Sequence, residues 1–278
     1  MGIKTLISDS IVPTPAVSYN IIHRGAGAGI VITASHNSWE WNGLKFKPSF
    51  GGSAPPDVVN EIESLIENPK IDRFQSQVQI KSNSAKLVDL KTPYLSNLSD
   101  AVNLPLIKEA GIRVLIDSMH GAGAGCLGSI IEGSKTKAVE IRNEQNPIFP
   151  GMKQPEPIEQ NLSPTMNVLK SAPYDVALAN DGDADRLGVL DENGRYIDTL
   201  TVFSLLCLLQ LEHKNQKGVI IRSITQSNMV NKLASMYDSH VVTTPVGFKF
   251  LGPAMISHDA IAAGEESGGY AFKGNIPE

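Results

Sequence analysis

Val176-Ala177-Leu178-Ala179 is followed by Asn180-Asp181-Gly182-Asp183-Ala184-Asp185-Arg186 and then by Leu187-Gly188-Val189-Leu190. An acidic loop thus lies between two short apolar runs that read as strands. Three carboxylates alternate with small residues, so a turning backbone brings them to one point. Packed that closely without a counterion, they would repel one another by several kcal/mol at the upper-bound dielectric of a dry site. A hard divalent cation with oxygen ligands removes that penalty, which makes the loop a candidate Mg²⁺ or Ca²⁺ site.

Two other readings compete. The spacing approaches an EF-hand loop, with Asp181, Asp183 and Asp185 followed by Glu192 in the closing position. That loop needs glycine where this chain has Arg186, and the flanks read as strands rather than helices. The plainer reading is a solvated turn, for which Asp and Gly are ordinary residues. Arg186 argues against it, because a cation fixed beside three carboxylates implies that an anion is also expected.

Working outward, strand-like runs alternate with helical periods, which predicts an α/β protein of consecutive domains with mixed, largely parallel sheets. A first unit, 1–90, begins with residues 1–20, read as irregular because of Pro13 and Pro15. It continues with a buried, parallel-type strand over Gly29-Ile30-Val31-Ile32-Thr33-Ala34, a helix over 56–67 and a polar linker over 68–90. A second unit, 91–195, carries a strand at 112–117, a glycine-rich turn at 121–125, a helix to about Ile131, a short strand at 138–141 and a helix across 158–170. The acidic loop closes it, and Asp191-Glu192-Asn193-Gly194-Arg195 reads as a hairpin turn. A third unit, 196–278, opens with a helix at 198–213 and proceeds through strand 218–223, helix 227–237 and strand 241–244. It ends in Ile261-Ala262-Ala263 and the loop Gly264-Glu265-Glu266-Ser267-Gly268-Gly269. A closing helix is missing, so the chain reads as cut.

Composition narrows the function. With 278 residues, 41% hydrophobic and 19% charged, the chain is long enough for large cores in more than one domain. A net charge of −5 gives no support to binding nucleic acid or acidic membrane. Cys126 and Cys207 form no disulfide framework or metal spacing, which suits a reducing compartment. No signal core opens the sequence and no apolar stretch is long enough to span a bilayer, so a cytoplasmic location is expected.

In each unit a chemistry-bearing loop follows a strand: Ser35 after 30–34, Asp181 after 176–179, Glu265 after 261–263. Ligands of open α/β sheets bind outside the carboxyl ends of strands, so the three loops could face one cleft. Taken singly the residues are ambiguous. Ser35 could be a turn residue, His36 a hydrogen-bonded turn histidine, and Lys45 a solvated strand lysine. Asn42-Gly43 is a turn signal that would return Lys45 toward Ser35. Carboxylates accept hydrogen bonds from vicinal hydroxyls, so the Glu265 loop fits a sugar, or else a plain surface turn.

Together, Thr33-Ala34-Ser35-His36-Asn37 with Asn42-Gly43-Leu44-Lys45-Phe46, Asp181-Gly182-Asp183-Ala184-Asp185-Arg186, Thr244-Pro245-Val246-Gly247-Phe248-Lys249 and Gly264-Glu265-Glu266-Ser267-Gly268 resemble the α-D-phosphohexomutases, the phosphoglucomutase/phosphomannomutase enzymes. The motifs match in order and approximate spacing across nearly the whole chain.

The resemblance implies that Ser35 carries a phosphoryl group, and that Asp181, Asp183 and Asp185 hold Mg²⁺ together with a Ser35 oxygen. Arg186 lies beside that group, Lys45 is the general acid/base with His36 nearby, Glu265 and Ser267 bind sugar hydroxyls, and Lys249 helps orient the substrate. It further implies a hexose phosphate substrate, glucose favoured over mannose, interconverted between its 1- and 6-phosphates through glucose 1,6-bisphosphate or its counterpart. Family members have more chain before the serine loop, including a basic motif, and a fourth domain whose loop grips the non-transferring phosphate. The chain is therefore expected to be a fragment that turns over poorly although its parent enzyme is active. The alternative is a non-catalytic Mg²⁺- or sugar-phosphate-binding module. A Ser/His hydrolase lacks a nucleophile-elbow pattern around Ser35 and leaves the aspartates unexplained.

Overall fold

The computed structural model describes residues 3–66 and 85–277. The first segment runs β1 (Thr5–Ser8), α1 (Thr14–His23), β2 (Ala28–Ile32), β3 (Leu44–Pro48) and α2 (Pro56–Ile66). The expectation of irregular structure over 1–20 is corrected by β1 and α1, and that of a buried parallel strand at 29–34 by β2, which pairs antiparallel with β3 and leaves Ile30 and Ile32 exposed. Pro13 precedes α1 and Pro15 lies in its first turn, where the missing N–H would be unbonded anyway, so these prolines mark a helix start. Residues 67–84, including most of the expected linker, lie outside the described residues. The linker expectation is also corrected beyond them, since β4 (Ala85–Val88) pairs in parallel with β1, Thr5 opposite Ala85.

Two helices missing from the sequence reading, α3 (Lys91–Ala101) and α4 (Leu104–Glu109), lead into β5 (Arg113–Asp117). The chain continues through α5 (Cys126–Ile131), β6 (Lys137–Ile141), a 3₁₀ turn at Glu159–Asn161, α6 (Ser163–Ser171), β7 (Val176–Asn180), β8 (Leu187–Asp191) and β9 (Tyr196–Ile197). These strands form one sheet in the order β6-β5-β7-β8-β9, parallel across its first three strands and antiparallel thereafter.

Side chains alternate between the two faces of this sheet as the pleat requires. Leu115, Ala177, Ala179 and Leu190 pack with Leu169 of α6 on one side. Val114 and Ile116 pack with Ile130 and Ile131 of α5, and with Leu95 and Leu98 of α3, on the other. Helices therefore cover both faces, and β5 is buried from Val114 to Asp117.

The last segment places α7 (Thr199–Leu208), a π-helical turn at Leu209–His213, β10 (Val219–Ser223), α8 (Met229–Met236), β11 (His240–Thr244), α9 (Phe248–Ser257), β12 (Ala262–Gly264) and β13 (Tyr270–Phe272). Their sheet order is β11-β10-β12-β13, with only the last pairing antiparallel. Five of the nine strand pairings among the described residues are parallel, which makes this a mixed α/β architecture. No helix among the described residues is long and apolar enough to cross a membrane.

Phe203 of α7 is fully buried and stacks on Tyr270, ring centroids 5.6 Å apart. A Cβ on Gly264 would lie 2.5 Å from its ring, so glycine is what lets β12 lie flush on that aromatic. This packing fixes the strand from which the Glu265 loop departs.

Candidate active site

The serine loop is the connection between β2 and β3. It is longer than a two-residue hairpin turn: Thr33 N–H donates to Gly43 O at 3.0 Å and closes residues 33–43 into a loop, with Lys45 opposite Val31. Ser35 adopts φ +54°, uncommon for a residue with a side chain, and its N–H donates to Thr33 Oγ1 at 2.8 Å. Such backbone conformations cost free energy and persist where surrounding structure over-determines them.

Asp181, Asp183 and Asp185 each offer a carboxylate oxygen within 4.8 Å of the others. Asp181 is fully buried. Its Oδ1 accepts from the N–H groups of Asp185 and Arg186, both at 3.0 Å, and its Oδ2 accepts from Ser35 Oγ at 3.4 Å. Asp183 Oδ2 accepts from Lys45 Nζ at 2.9 Å, Thr14 Oγ1 at 2.8 Å and Thr33 Oγ1 at 3.2 Å. Lys45 Nζ also reaches Asp185 Oδ2 at 3.0 Å. Thr14, at the start of α1, was not singled out in the sequence. Nothing local marks it, because it meets Asp183 only through the fold.

Burial and the neighbouring Asp185 and Asp183 push the Asp181 carboxyl well above its usual range. Burial opposes ionisation of Asp183 too, but Lys45 and its hydrogen bonds outweigh that and hold it below the usual range. Asp183 Oδ1 is buried with no hydrogen-bond partner among the described residues. An orphaned carboxylate oxygen amid crowded carboxylates is what a hard divalent cation satisfies, so the donor set fits Mg²⁺. Asp181, Asp183 and Asp185 would hold it, with the Ser35 oxygen within reach.

Arg186 bridges the loop and its surroundings. Its Nε lies 3.9 Å from both Asp181 Oδ2 and Asp185 Oδ1, and its Nη1 lies 3.4 Å from Glu156 Oε1. Glu156 belongs to the turn Pro155-Glu156-Pro157, whose Pro155 O accepts from Gly182 N–H at 3.1 Å. The sequence reading passed over Glu156, although a carboxylate fixed between two prolines was the available signal. His36 Nδ1 stands 3.3 Å from Ser35 Oγ. Burial, and then Arg186, lower its pKa from 6.5, so the imidazole is neutral near pH 7. Lys45 is the reverse case: burial alone would lower its pKa, but Asp185 and Asp183 hold the ammonium well above its ordinary value.

The Glu265 loop meets the acidic loop through backbone. Leu187 N–H donates to Gly268 O at 3.1 Å, and Thr199 Oγ1 donates to Glu266 O at 2.5 Å. Ser267 Oγ donates to Glu265 Oε1 at 2.5 Å, whereas Glu265 Oε2 is buried without a partner among the described residues. Burial raises the Glu265 carboxyl above its usual range. Glu266 turns away from it and accepts from Ser223 Oγ at 2.9 Å and from Thr225 Oγ1. Lys249 is exposed on α9, and its loop joins Glu265 through the Gly247 N–H.

A 310 Å³ cavity at the serine is lined by Ser35, Asn37, Trp41, Asn42 and Lys45, among others. A larger one, 1030 Å³ and mainly apolar, lies among α1, α3, α5 and β13 and touches Asp185 and Arg186. Neither Ser35 nor Lys45 lines it, whereas both line the smaller cavity.

Comparison with known proteins agrees in order and extent with this arrangement. The phosphoglucomutase/phosphomannomutase α/β/α domain I, II and III profiles match residues 1–72, 92–194 and 201–277. A phosphoglucomutase/phosphomannomutase of Thermococcus kodakarensis is 31% identical over 96% of the chain and 58% of its own length. A phosphoglucosamine/phosphogalactosamine mutase of Sulfurisphaera tokodaii is 29% identical over 94% of the chain and 57% of its own length. The crystal structure of a candidate phosphomannomutase from Thermus thermophilus superposes with a TM-score of 0.88 at 31% identity, covering all of this chain and 62% of that one. The chain thus spans little more than half the length of the curated relatives it matches.

Proposed function

Because the chain belongs to the phosphoglucomutase/phosphomannomutase family, with the profiles of three successive domains matching it in order, we propose that it carries the phosphoryl-transfer centre of a phosphohexomutase. The substrate class is a hexose 1- or 6-phosphate, glucose first and mannose next. Hexosamine phosphates compete for that place, given that the Sulfurisphaera tokodaii relative is named for them. The observation that carries the reading is Ser35 Oγ lying 3.4 Å from Asp181 Oδ2, beside three carboxylates gathered within 4.8 Å.

In this reading Ser35 is the group that gives and receives phosphate. A phosphoserine brings about −1.5 to −2 charges at neutral pH, which three adjacent carboxylates cannot tolerate alone. Mg²⁺ supplies the missing positive charge and polarises the phosphoryl oxygens when bound. Arg186 and Lys45 add fixed cations on two sides. A sugar hydroxyl attacks the phosphoryl phosphorus as the P–O bond to Ser35 Oγ breaks. Lys45 is the general acid/base: its ammonium gives a proton to the departing serine oxygen, and the resulting amine takes the proton of the attacking hydroxyl. Neutral His36 is nearby, 3.3 Å from Ser35 Oγ. Glu265 and Ser267 exchange hydrogen bonds with sugar hydroxyls, and Lys249, on the helix that follows the Gly247 turn, helps orient the substrate. The bisphosphate so formed returns its other phosphate to Ser35 after turning over. Phosphoryl transfer asks for positioning and charge neutralisation above all, which is what this centre offers.

Conversion by the whole protein is part of the proposal, since the chain spans 58% and 57% of those two relatives. The test is intact-mass analysis after incubation with glucose 1,6-bisphosphate and Mg²⁺. One added phosphoryl group, lost in Ser35→Ala, supports the reading. No added phosphate in the wild-type chain favours a non-catalytic sugar-phosphate-binding module.

A further inference from the structure

We propose that Glu156 is a positioning residue that aims Arg186 at the phosphoryl group on Ser35. This rests on the phosphoserine reading above and adds a residue to it.

The Nε contacts of Arg186 to Asp181 and Asp185 are long, 3.9 Å each, and both are made to carboxylates that fit a divalent cation. Once a cation occupies those oxygens, their pull on the guanidinium falls. Glu265 and Glu266 also feel the Arg186 charge, but outside that cluster the carboxylate within ion-pair distance of Arg186 among the described residues is Glu156, whose Oε1 lies 3.4 Å from Nη1. It therefore keeps its charge for Arg186 when the cluster is neutralised. The placement matters because Asp181 Oδ2 neighbours both Ser35 Oγ, at 3.4 Å, and Arg186 Nε. A guanidinium swung away from Glu156 leaves the face where the serine oxygen stands.

Glu156 is itself rigidly mounted. Gln154 Nε2 donates to its second oxygen, Oε2, at 2.6 Å. Its backbone O accepts from Asn161 Nδ2 and from Ile158 N–H, both at 2.9 Å, and its N–H donates to Gln154 O at 2.9 Å. The turn is also seated against the acidic loop. Gly182 N–H bonds Pro155 O, and a Cβ on Gly188 would lie 2.4 Å from Pro157 O. The carboxylate thus reaches Arg186 from the same strand-end framework that places Asp181, with little freedom left to lose. A side chain held this way suits holding another group in a reactive orientation, where a displacement near 1 Å can lower a rate about a hundredfold.

The experiment is a double-mutant cycle on Ser35 phosphorylation by glucose 1,6-bisphosphate with Mg²⁺, followed by intact mass, with Mn²⁺ affinity and the thermal midpoint measured in parallel. Glu156→Gln is expected to slow phosphorylation about tenfold and Glu156→Ala about a hundredfold, with Mn²⁺ affinity and midpoint near wild type. In an Arg186→Met background both substitutions are expected to have no further effect. Equal rates in wild type and both Glu156 variants overturn the inference. So do additive losses in the Arg186→Met background, or losses that track weaker Mn²⁺ binding, which would mark Glu156 as a prop for the turn. A wild-type chain that never acquires phosphate overturns the phosphoserine reading, and this inference with it.

Discussion

Replacing Gly182 with alanine perturbs the contact by which the acidic loop supports the serine loop. A Cβ at this position would lie 2.5 Å from the Ser35 carbonyl oxygen, 2.9 Å from Pro155 Cγ and 3.3 Å from Phe149 Cζ. Ordinary van der Waals contact begins near 3.4 Å, so the Ser35 backbone must retreat by roughly 1 Å. Pro155 blocks the opposite escape, because its carbonyl bonds Gly182 N–H. Ser35 Oγ already sits at the long end of hydrogen bonding to Asp181, at 3.4 Å, so the retreat takes the serine out of reach of the carboxylate cluster. Overpacking of this kind costs about 1–3 kcal/mol of stability. A misplacement of about 1 Å at a reacting atom costs about a hundredfold in rate. The assay is the rate of phosphate incorporation at Ser35 from glucose 1,6-bisphosphate and Mg²⁺, with urea unfolding alongside. Gly27→Ala is the control, since a Cβ there meets nothing within 4 Å. If Gly182→Ala incorporates phosphate as fast as Gly27→Ala with an unchanged urea midpoint, the reasoning that ties loop contact to serine placement is wrong.

Other perturbations address the rest of the site. Asp181→Asn removes one charge from the crowded carboxylates, so the midpoint in EDTA is expected to hold or rise. The Mg²⁺-induced rise, about 2.7 kcal/mol at a hundredfold excess over Kd, is expected to vanish, and a wild-type Mg²⁺ response in the variant would count against the metal assignment. Phe203→Ala, which empties the space against Gly264 and Tyr270, is expected to lower stability by about 3–5 kcal/mol in urea titrations. A loss below about 1 kcal/mol would show that β12 does not depend on that ring. Trp39 and Trp41 are the chain's two tryptophans and both are exposed. Sugar phosphate entering the serine cavity should therefore change the emission, and Trp41→Phe, whose residue lines that cavity, should remove most of the change. If Trp39→Phe removes it instead, the ligand sits elsewhere. Burial pushes the Cys207 thiol up to about 12, so it is protonated at any pH below that. Native protein at about pH 9 is expected to resist iodoacetamide at Cys207 until urea is added, as mass spectrometry would reveal.

Much of this architecture is legible in the sequence because its signals are local. The apolar run at 112–117 is β5, and the run at 218–223 is β10. Central strands buried on both faces carry continuous apolar residues, so they need no context to be read. The hairpin turn at Asp191–Arg195 was equally plain, with Asp191 N–H bonded to Arg195 O at 2.9 Å. Edge elements were not legible. β1 and β4 are short and half exposed, and each is a strand only because the other pairs with it. The prolines at 13 and 15 read as breakers, whereas one precedes α1 and the other sits in its first turn. The site divides in the same way. Three aspartates spaced by small residues are a sequence fact, and their convergence follows from a tight turn. That Ser35 lies against Asp181, 146 positions further along the chain, that Thr14 and Lys45 meet at Asp183, and that Glu156 comes within 3.4 Å of Arg186 depend on how separate strands end beside one another. Residue order specifies each strand and loop, whereas packing of buried faces decides which loop ends share a cleft, because hydrophobic burial is non-directional and only the assembled core fixes its geometry.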